Sequence, residues 1–522
     1  MGQRGTVYLS CFLIGIVSFL FIETVFSWLI PDRDSTGWTA YLIDGTTLSL
    51  MGVALLTLMP NNRLSPVIAG AFPAAIAFIL NRYQLMFDEP FSGYDLDWQL
   101  FVHTLDYLSV SELLFAAAGL GLIGFTIHYS LKTVTLTVFY SVLAISAFSG
   151  HAAMYEPQQT VESKAVSSIG HTGYLWMTLV ERQLKNDKLT EVTTEHWETH
   201  HKQVQSVANS SIDADRNVYL VVLESWVDFR NLNVPAPEAL MAPSYRAKVA
   251  DHINTASAPI AGGRTVNTEF EILCGVPSMQ KLTRLDFFML ERMDNPRCAL
   301  PLLKDVGYRT QVLHAGNPLS FNAGAIYKAA GLTSQRFLDV GETNPVDDPV
   351  TDRTLFREAL QSPKKEPTLT YMMGAFGHHP FMNEPDEFPV PEMIDALDLD
   401  ATSERLLTQE YYRQRWIAEF LDEVRKEDPD ALVVITGDHT PPDESGKLLA
   451  NEREVPFLVM DQGHLVTLDH TIPLFNTHQL IFDRLSDGHF CESLECQEER
   501  DRDSQALMKR YLSFAASMQT LN

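Results

Sequence analysis

The sequence predicts an α/β domain with a mainly parallel sheet, placed behind a five-helix N-terminal transmembrane bundle. Three observations carry this. Of 39 Lys and Arg and 66 Asp and Glu in 522 residues, only 5 and 10 lie in residues 1–150. That charge-poor part contains five long apolar runs. The charge-rich remainder alternates short, continuous apolar runs with helical patterns.

The long runs fall at about 6–30, 40–58, 64–80, 110–128 and 132–149. Each is near the ~17–25 residues that a helix needs to cross the hydrocarbon layer. A cleaved signal peptide accounts only for the first. With the N-terminus inside, Arg4, Arg63 and Lys132 lie on the cytoplasmic side, and Arg33 and Arg82 lie outside. Five spans put the two chain ends on opposite faces, so the second part is expected outside the cytoplasm. Residues 81–109 read as a long aromatic and acidic outer loop, with Trp98 and Tyr107 suited to headgroup depth. The expected organisation is a transmembrane domain over 1–150, a polar linker over 151–215, a catalytic domain over 216–490 and a C-terminal helical tail over 491–522.

Cysteine usage agrees with an oxidising compartment. Cys11 lies in the first span, and Cys274, Cys298, Cys491 and Cys496 lie in the second part. Four cysteines allow three pairings. The preferred one joins 274 to 298 and 491 to 496, the latter two being close in sequence. The C-x4-C spacing has no matching second half for a zinc site. The net charge of −27 argues against a nucleic-acid partner, which needs a basic face.

Beyond residue 216, NVYLVVLE (217–224), RTQVLH (309–314), TLTYMMGA (368–375), ALVVITGD (431–438) and VPFLVM (455–460) are continuous apolar runs. Such runs suit strands buried on both faces. Between the last three runs, residues 408–427 place Ile417, Phe420, Leu421 and Val424 on one helical face before Pro429. In open parallel sheets the ligand site lies beyond the carboxyl ends of the strands. Glu224, His314, Asp438 and His439 stand at those ends, and His378 and His379 follow the strand at 368–375. The segment AGGRTVNTEFEILCG (261–275) adds a hydroxyl, Thr265, where glycines give way to a helical pattern. Free backbone N–H groups at a helix start favour an anionic phosphate. A divalent cation on the threonine oxygen would make it a nucleophile at neutral pH.

E-S-W at 224–226, G-G-R-T-V-N-T-E-F at 262–270, H-H-P at 378–380 and G-D-H at 437–439 together resemble the lipoteichoic acid synthase-type phosphoglycerol transferases. These belong to the alkaline phosphatase and sulfatase superfamily. The resemblance implies that Glu224, Asp438 and His439 hold one divalent ion, with Thr265 as both ligand and nucleophile. Manganese is favoured, and the donor set also suits Mg²⁺ or Zn²⁺. It places His378 as a group that hydrogen-bonds the leaving or entering oxygen, and His314 and His379 on the substrate side. The family's Asn-Arg pair departs here to Asn322 followed by Ala323, and Arg264 is the nearby alternative cation for the substrate phosphate. Formylglycine-dependent sulfatases need C-x-P-x-R or S-x-P-x-R at the nucleophile, whereas this chain reads T-V-N-T-E.

The implied activity moves a phosphoglycerol-type headgroup from a phospholipid donor to a glycan or glycolipid acceptor through a phosphothreonine intermediate. The implied location is a bacterial cytoplasmic membrane, with the catalytic domain outside. Two further readings share these residues: a phosphoethanolamine transferase or lipid headgroup phosphodiesterase, and a catalytically silent membrane assembly protein.

Overall fold

The computed structural model describes residues 195–263, 265–278, 290, 298–318, 323–332, 334–338, 350–361, 366–378, 381, 387–397, 399–441, 448–451, 453–494, 496, 507 and 509–514, and earlier 12, 16, 19, 20, 44–53 and 76. The chain divides into two compact units, Met1–Lys188 and Leu189–Asn522. In the first unit residues 44–53 are helical, within the second expected span, and Leu48 packs on Phe19. The remainder of the five expected spans lies largely outside the described residues. Among the described residues, no helix is long and apolar enough to cross a membrane.

The second unit is built on one sheet. Its strands are β1 (Val218–Leu223), β2 (Asn254–Ser257), β3 (Arg309–His314), β4 (Ser334–Phe337), β5 (Thr368–Met373), β6 (Leu432–Gly437), β7 (Glu454–Asp461), β8 (His464–Val466) and β9 (Ile472–Pro473). Among the described residues the order is β4-β3-β5-β1-β6-β7-β2-β9, with β8 on β7. The pairs from β4 across to β6 are parallel, whereas β6–β7 and β7–β2 are antiparallel. All five apolar runs became strands, as expected. β1 lies at the centre, and every residue of β1, β5 and β6 is buried.

Strand alternation separates two cores. Val218, Leu220 and Val222 point into one cluster, and Tyr219, Val221 and Leu223 into the other. The second core is closed by α7 (Ala401–Glu427) and α5 (Asp352–Gln361). The helix expected over 408–427 begins seven residues earlier, because Asp400 caps it by accepting the N–H groups of Thr402 and Ser403 at 3.0 and 2.9 Å. Ile417, Phe420, Leu421 and Val424 are buried along it, as the periodicity requires.

The first core is closed by α3 (Thr265–Cys274), α8 (Thr477–Leu485) and two segments whose packing the sequence did not reveal. One is α1 (Glu195–Ser211), in the stretch expected to be a linker. It buries Trp197, Val204 and Ala208 in the core of the second unit. The other is the C-terminal tail, whose Leu507, Tyr511 and Phe514 are buried in the same cluster. The two segments meet directly. The Trp197 backbone N–H donates to Ser513 Oγ at 2.8 Å, and the Trp197 ring sits edge-on to Phe514 at 4.9 Å. Cys274–Cys298 and Cys491–Cys496 form the two preferred disulfides.

Trp197→Ala should therefore destabilise the second unit by about 3–5 kcal/mol, the usual cost of emptying a large aromatic site. Denaturant unfolding measures it. A loss under about 1 kcal/mol would return α1 to the role of a connector.

Candidate active site

Strand register assembles the site. Leu223 of β1 is level with Gly437 of β6, so the next residues, Glu224 and Asp438, leave the sheet side by side. His314 closes β3 level with Met373 of β5, at the same edge. Thr265 is the first residue of α3, after Gly262 and Gly263, whose φ values of +70° and +151° suit glycine. Thr268, one turn later, ties that helix to the sheet: its Oγ1 donates to the Asp438 carbonyl at 2.6 Å.

The four central side chains meet. Thr265 Oγ1 donates to Glu224 Oε2 at 3.0 Å and lies 3.4 Å from His439 Nε2. His439 Nε2 lies 3.3 Å from Glu224 Oε1 and 3.2 Å from Asp438 Oδ2. The other ring nitrogen, Nδ1, donates to the Thr440 carbonyl at 2.9 Å. That fixes the tautomer and turns the Nε2 lone pair toward the carboxylates. Among the described residues, Glu224, Asp438 and His439 form a buried group whose ligand atoms lie within 4.8 Å of one another.

Backbone groups hold the acids in place. Asp438 Oδ1 accepts the N–H groups of Ser225 and His439, both at 2.7 Å. Ser225 Oγ donates to Glu224 Oε1 at 3.0 Å. Ser225 itself has φ +53°, an uncommon conformation for a residue with a side chain. Strain at such positions persists where surrounding structure over-determines it. Here it aims one residue's N–H at Asp438 and its hydroxyl at Glu224. Sequence showed the Glu-Ser-Trp triplet but gave no sign of the turn.

The electrostatics call for a cation. Burial and the neighbouring Glu224 charge push the Asp438 carboxyl up to about 6. Burial acts to raise Glu224 as well, but the His439 and His378 charges, with hydrogen bonds from Ser225 and Thr265, hold it below the ordinary carboxylate range. Asp438 Oδ2 is buried and has no hydrogen-bond partner. Two carboxylates, a directed imidazole lone pair and an orphaned carboxylate oxygen fit a divalent cation.

His378 sits in an exposed turn, its N–H donating to the Ala375 carbonyl at 3.2 Å, and its charge is felt at Glu224. His314 stands apart from the central four. Its Nδ1 accepts the Gly316 N–H at 2.8 Å, its ring packs near Phe337 and Tyr327, and burial pushes its pKa down to about 4. It is thus a neutral imidazole with its proton on Nε2. Arg264, Asn322 and His379 lie outside the described residues. Glu269, one turn along α3 from Thr265, was not anticipated. It accepts the hydroxyls of Tyr327 and, at 2.8 Å, Tyr371, and burial raises it to about 7.

An α/β sheet with a buried acid–imidazole cluster against a helix-start hydroxyl could hold a divalent cation beside a potential nucleophile. The family described as Sulfatase matches residues 216–485, more than half of the chain, and the chain belongs to that family. The recognised superfamily is thereby borne out. Among solved structures, the chain is similar to the integral membrane protein lipooligosaccharide phosphoethanolamine transferase A (EptA) from Neisseria meningitidis. The identity is 12%, with 93% of this chain and 96% of that chain covered, at a TM-score of 0.53. The Streptococcus pyogenes phosphoglycerol transferase GacH matches at 17% identity over 64% of this chain and 94% of its own, with a TM-score of 0.47. The lipoteichoic acid synthase LtaP from Listeria monocytogenes matches at 14% identity over 61% and 96%, with a TM-score of 0.44. No curated protein matches the chain.

Cation binding must displace the proton from Asp438. Affinity for Mn²⁺ should therefore climb as pH rises through about 6 and flatten above it. Titration calorimetry between about pH 5 and about pH 8 measures this, and a flat profile would contradict it. Glu224→Ala should lower bound metal and activity together. Unchanged metal content would remove Glu224 from the ligand set.

Proposed function

We propose that the chain is a metal-dependent phosphotransferase that moves a phospholipid headgroup to a glycan or glycolipid through a phosphothreonine intermediate. The observation that carries this reading is the placement of Thr265 Oγ1, at the N-terminus of α3, 3.0 Å from Glu224 and 3.4 Å from His439. Glu224, Asp438, His439 and Thr265 would hold one divalent ion. When bound, such an ion supplies charge neutralisation and an ionised threonine oxygen at neutral pH.

The chain's own groups do the rest. Glu224 accepts the Thr265 hydroxyl and fixes its direction. Thr265 Oγ1 gives up its proton to solvent and attacks phosphorus, and the diacylglycerol oxygen leaves with the electron pair of the broken P–O bond and takes a proton from His378. The N–H groups at the start of α3 face the anionic phosphoryl oxygens. His378, exposed at the rim, hydrogen-bonds the leaving oxygen and later the acceptor hydroxyl, which resolves the phosphothreonine. His314, neutral and half-buried, is suited to donate from Nε2 to a headgroup hydroxyl. Manganese is the favoured ion, with Mg²⁺ and Zn²⁺ compatible with the same donors.

The proposed location is a bacterial cytoplasmic membrane with five spans and the catalytic unit outside. Two disulfides in that unit support an oxidising compartment, and the apolar runs of residues 1–150 support the membrane part. Phosphoglycerol is the proposed headgroup. A phosphoethanolamine headgroup is the second reading, favoured by Ala323 standing where a substrate-gripping Arg is expected. Threonine at the nucleophile argues against formylglycine-dependent sulfate ester hydrolysis.

Thr265→Ala should cut release of labelled diacylglycerol from phosphatidylglycerol by about 10³-fold or more. Undiminished release would end the assignment. Competition between phosphatidylglycerol and phosphatidylethanolamine separates the two headgroups.

A further inference from the structure

Behind the site lies a buried ionic cluster that the proposed chemistry does not use. Arg413 of α7 donates from Nε to Asp352 Oδ2 at 2.7 Å and from Nη1 to Glu410 Oε2 at 3.2 Å. All three side chains are at most 2% exposed. Asp352 Oδ1, Arg413 Nη2 and Glu410 Oε1 are buried with no hydrogen-bond partner, as is Oε1 of the adjacent Gln409. A buried ion group left partly unsatisfied is a poor stabiliser, and apolar replacements of similar volume are often neutral or better. Stability therefore does not explain this cluster.

Its position does. The turn that links β5 to His378 lies directly on it. A Cβ at Gly374 would come within 2.6 Å of Asp352 Oδ1. A Cβ at Gly377 would lie 2.6 Å from Arg413 Nη2 and would run into the Glu224 carbonyl oxygen. Between those glycines, the Phe376 carbonyl accepts from Gln409 Nε2 at 2.7 Å. The Arg413 guanidinium and the Glu224 carbonyl thus both crowd the face of Gly377 where a side chain would stand. Glu224 is the first residue beyond β1 and a cation ligand, and His378 directly follows Gly377.

We infer that Arg413, clamped by Asp352 and Glu410, is a positioning residue that sets the Glu224 main chain and the His378 turn at a fixed separation through the side-chain-free Gly377. A planar guanidinium held on two sides is a flat, rigid wedge, which a flexible lysine cannot reproduce. Displacement of the turn would shift one metal ligand and one substrate-side imidazole together. The activity part of this inference rests on the proposed function; the cation-affinity part does not.

The test uses full-length protein in detergent and two variants. The first replaces the whole cluster with apolar side chains of similar volume (Asp352→Leu, Glu410→Met, Arg413→Met), leaving no buried charge. The second is Gly377→Ala. The first should keep its Tm within about 5 °C of the parent, and Gly377→Ala should lose more because its Cβ meets the Glu224 carbonyl oxygen. Each should weaken Mn²⁺ binding by about tenfold or more in calorimetry, as loss of groups supporting metal ligands does. Each should also lower kcat by about 10–100-fold with a smaller change in KM. Arg413→Lys in the otherwise unchanged chain should restore neither. Folded variants with parental Mn²⁺ affinity would overturn the inference. Failure of both variants to fold would overturn it too, by assigning the cluster to stability. If the parent binds Mn²⁺ but releases no headgroup from phospholipid, the proposed function fails while the affinity comparison still decides the positioning role.

Discussion

The constraint on which the structure depends is the parallel register of β1 and β6. It brings two carboxylates out of a fully buried sheet at the same level, in surroundings where neither is well solvated. Glu224 and Asp438 repel each other there, and burial adds to the cost. Everything near them reduces that cost: three hydrogen bonds from Ser225 and the His439 N–H, the His439 ring, and the hydroxyl of Thr265. What remains unmet is Asp438 Oδ2. A divalent cation would complete the set, and on the proposed reading the same ion would ionise the threonine oxygen.

The nucleophile is placed by helix geometry rather than by the sheet. Two glycines turn the chain so that α3 begins at Thr265 and faces the strand ends. Thr268 and Glu269 then anchor the helix, one to the Asp438 carbonyl and the other to two tyrosine hydroxyls. The Thr265 hydroxyl and the acids it touches therefore sit on separate elements joined by short bonds. On the far side, the Arg413 cluster supports the turn that carries His378. Rigid supports on both sides suit a reaction that depends on in-line positioning.

Much of this was legible in the sequence, for identifiable reasons. Strands buried on both faces must be apolar throughout, so β1, β3, β5, β6 and β7 stood out. Once they were placed, the strand-end rule selected Glu224, Asp438 and His439, and the glycine-to-helix change selected Thr265. The short strands β2 (NTAS) and β4 (SQRF) carry no apolar run and gained their pairing only from neighbours. α1 read as a connector because its polar face dominates its sequence, and only Trp197, Val204 and Ala208 mark the buried side. Arg413 and Glu410 are charged residues within an amphipathic helix, and nothing in the local sequence marks them as buried. Their burial depends on what α5 and the His378 turn present to α7, which local patterning does not encode. The φ of Ser225 is likewise a product of the assembled site.

The central claim is that the Thr265 oxygen becomes bonded to phosphorus during turnover. Its most direct measurement is mass spectrometry of the peptide containing Thr265, from full-length protein mixed with Mn²⁺ and donor-lipid vesicles and then acid-quenched. A headgroup phosphate ester on Thr265, absent when Mn²⁺ is chelated, is the predicted result. An unmodified Thr265 alongside an adduct on another residue of the same turning-over protein would contradict it.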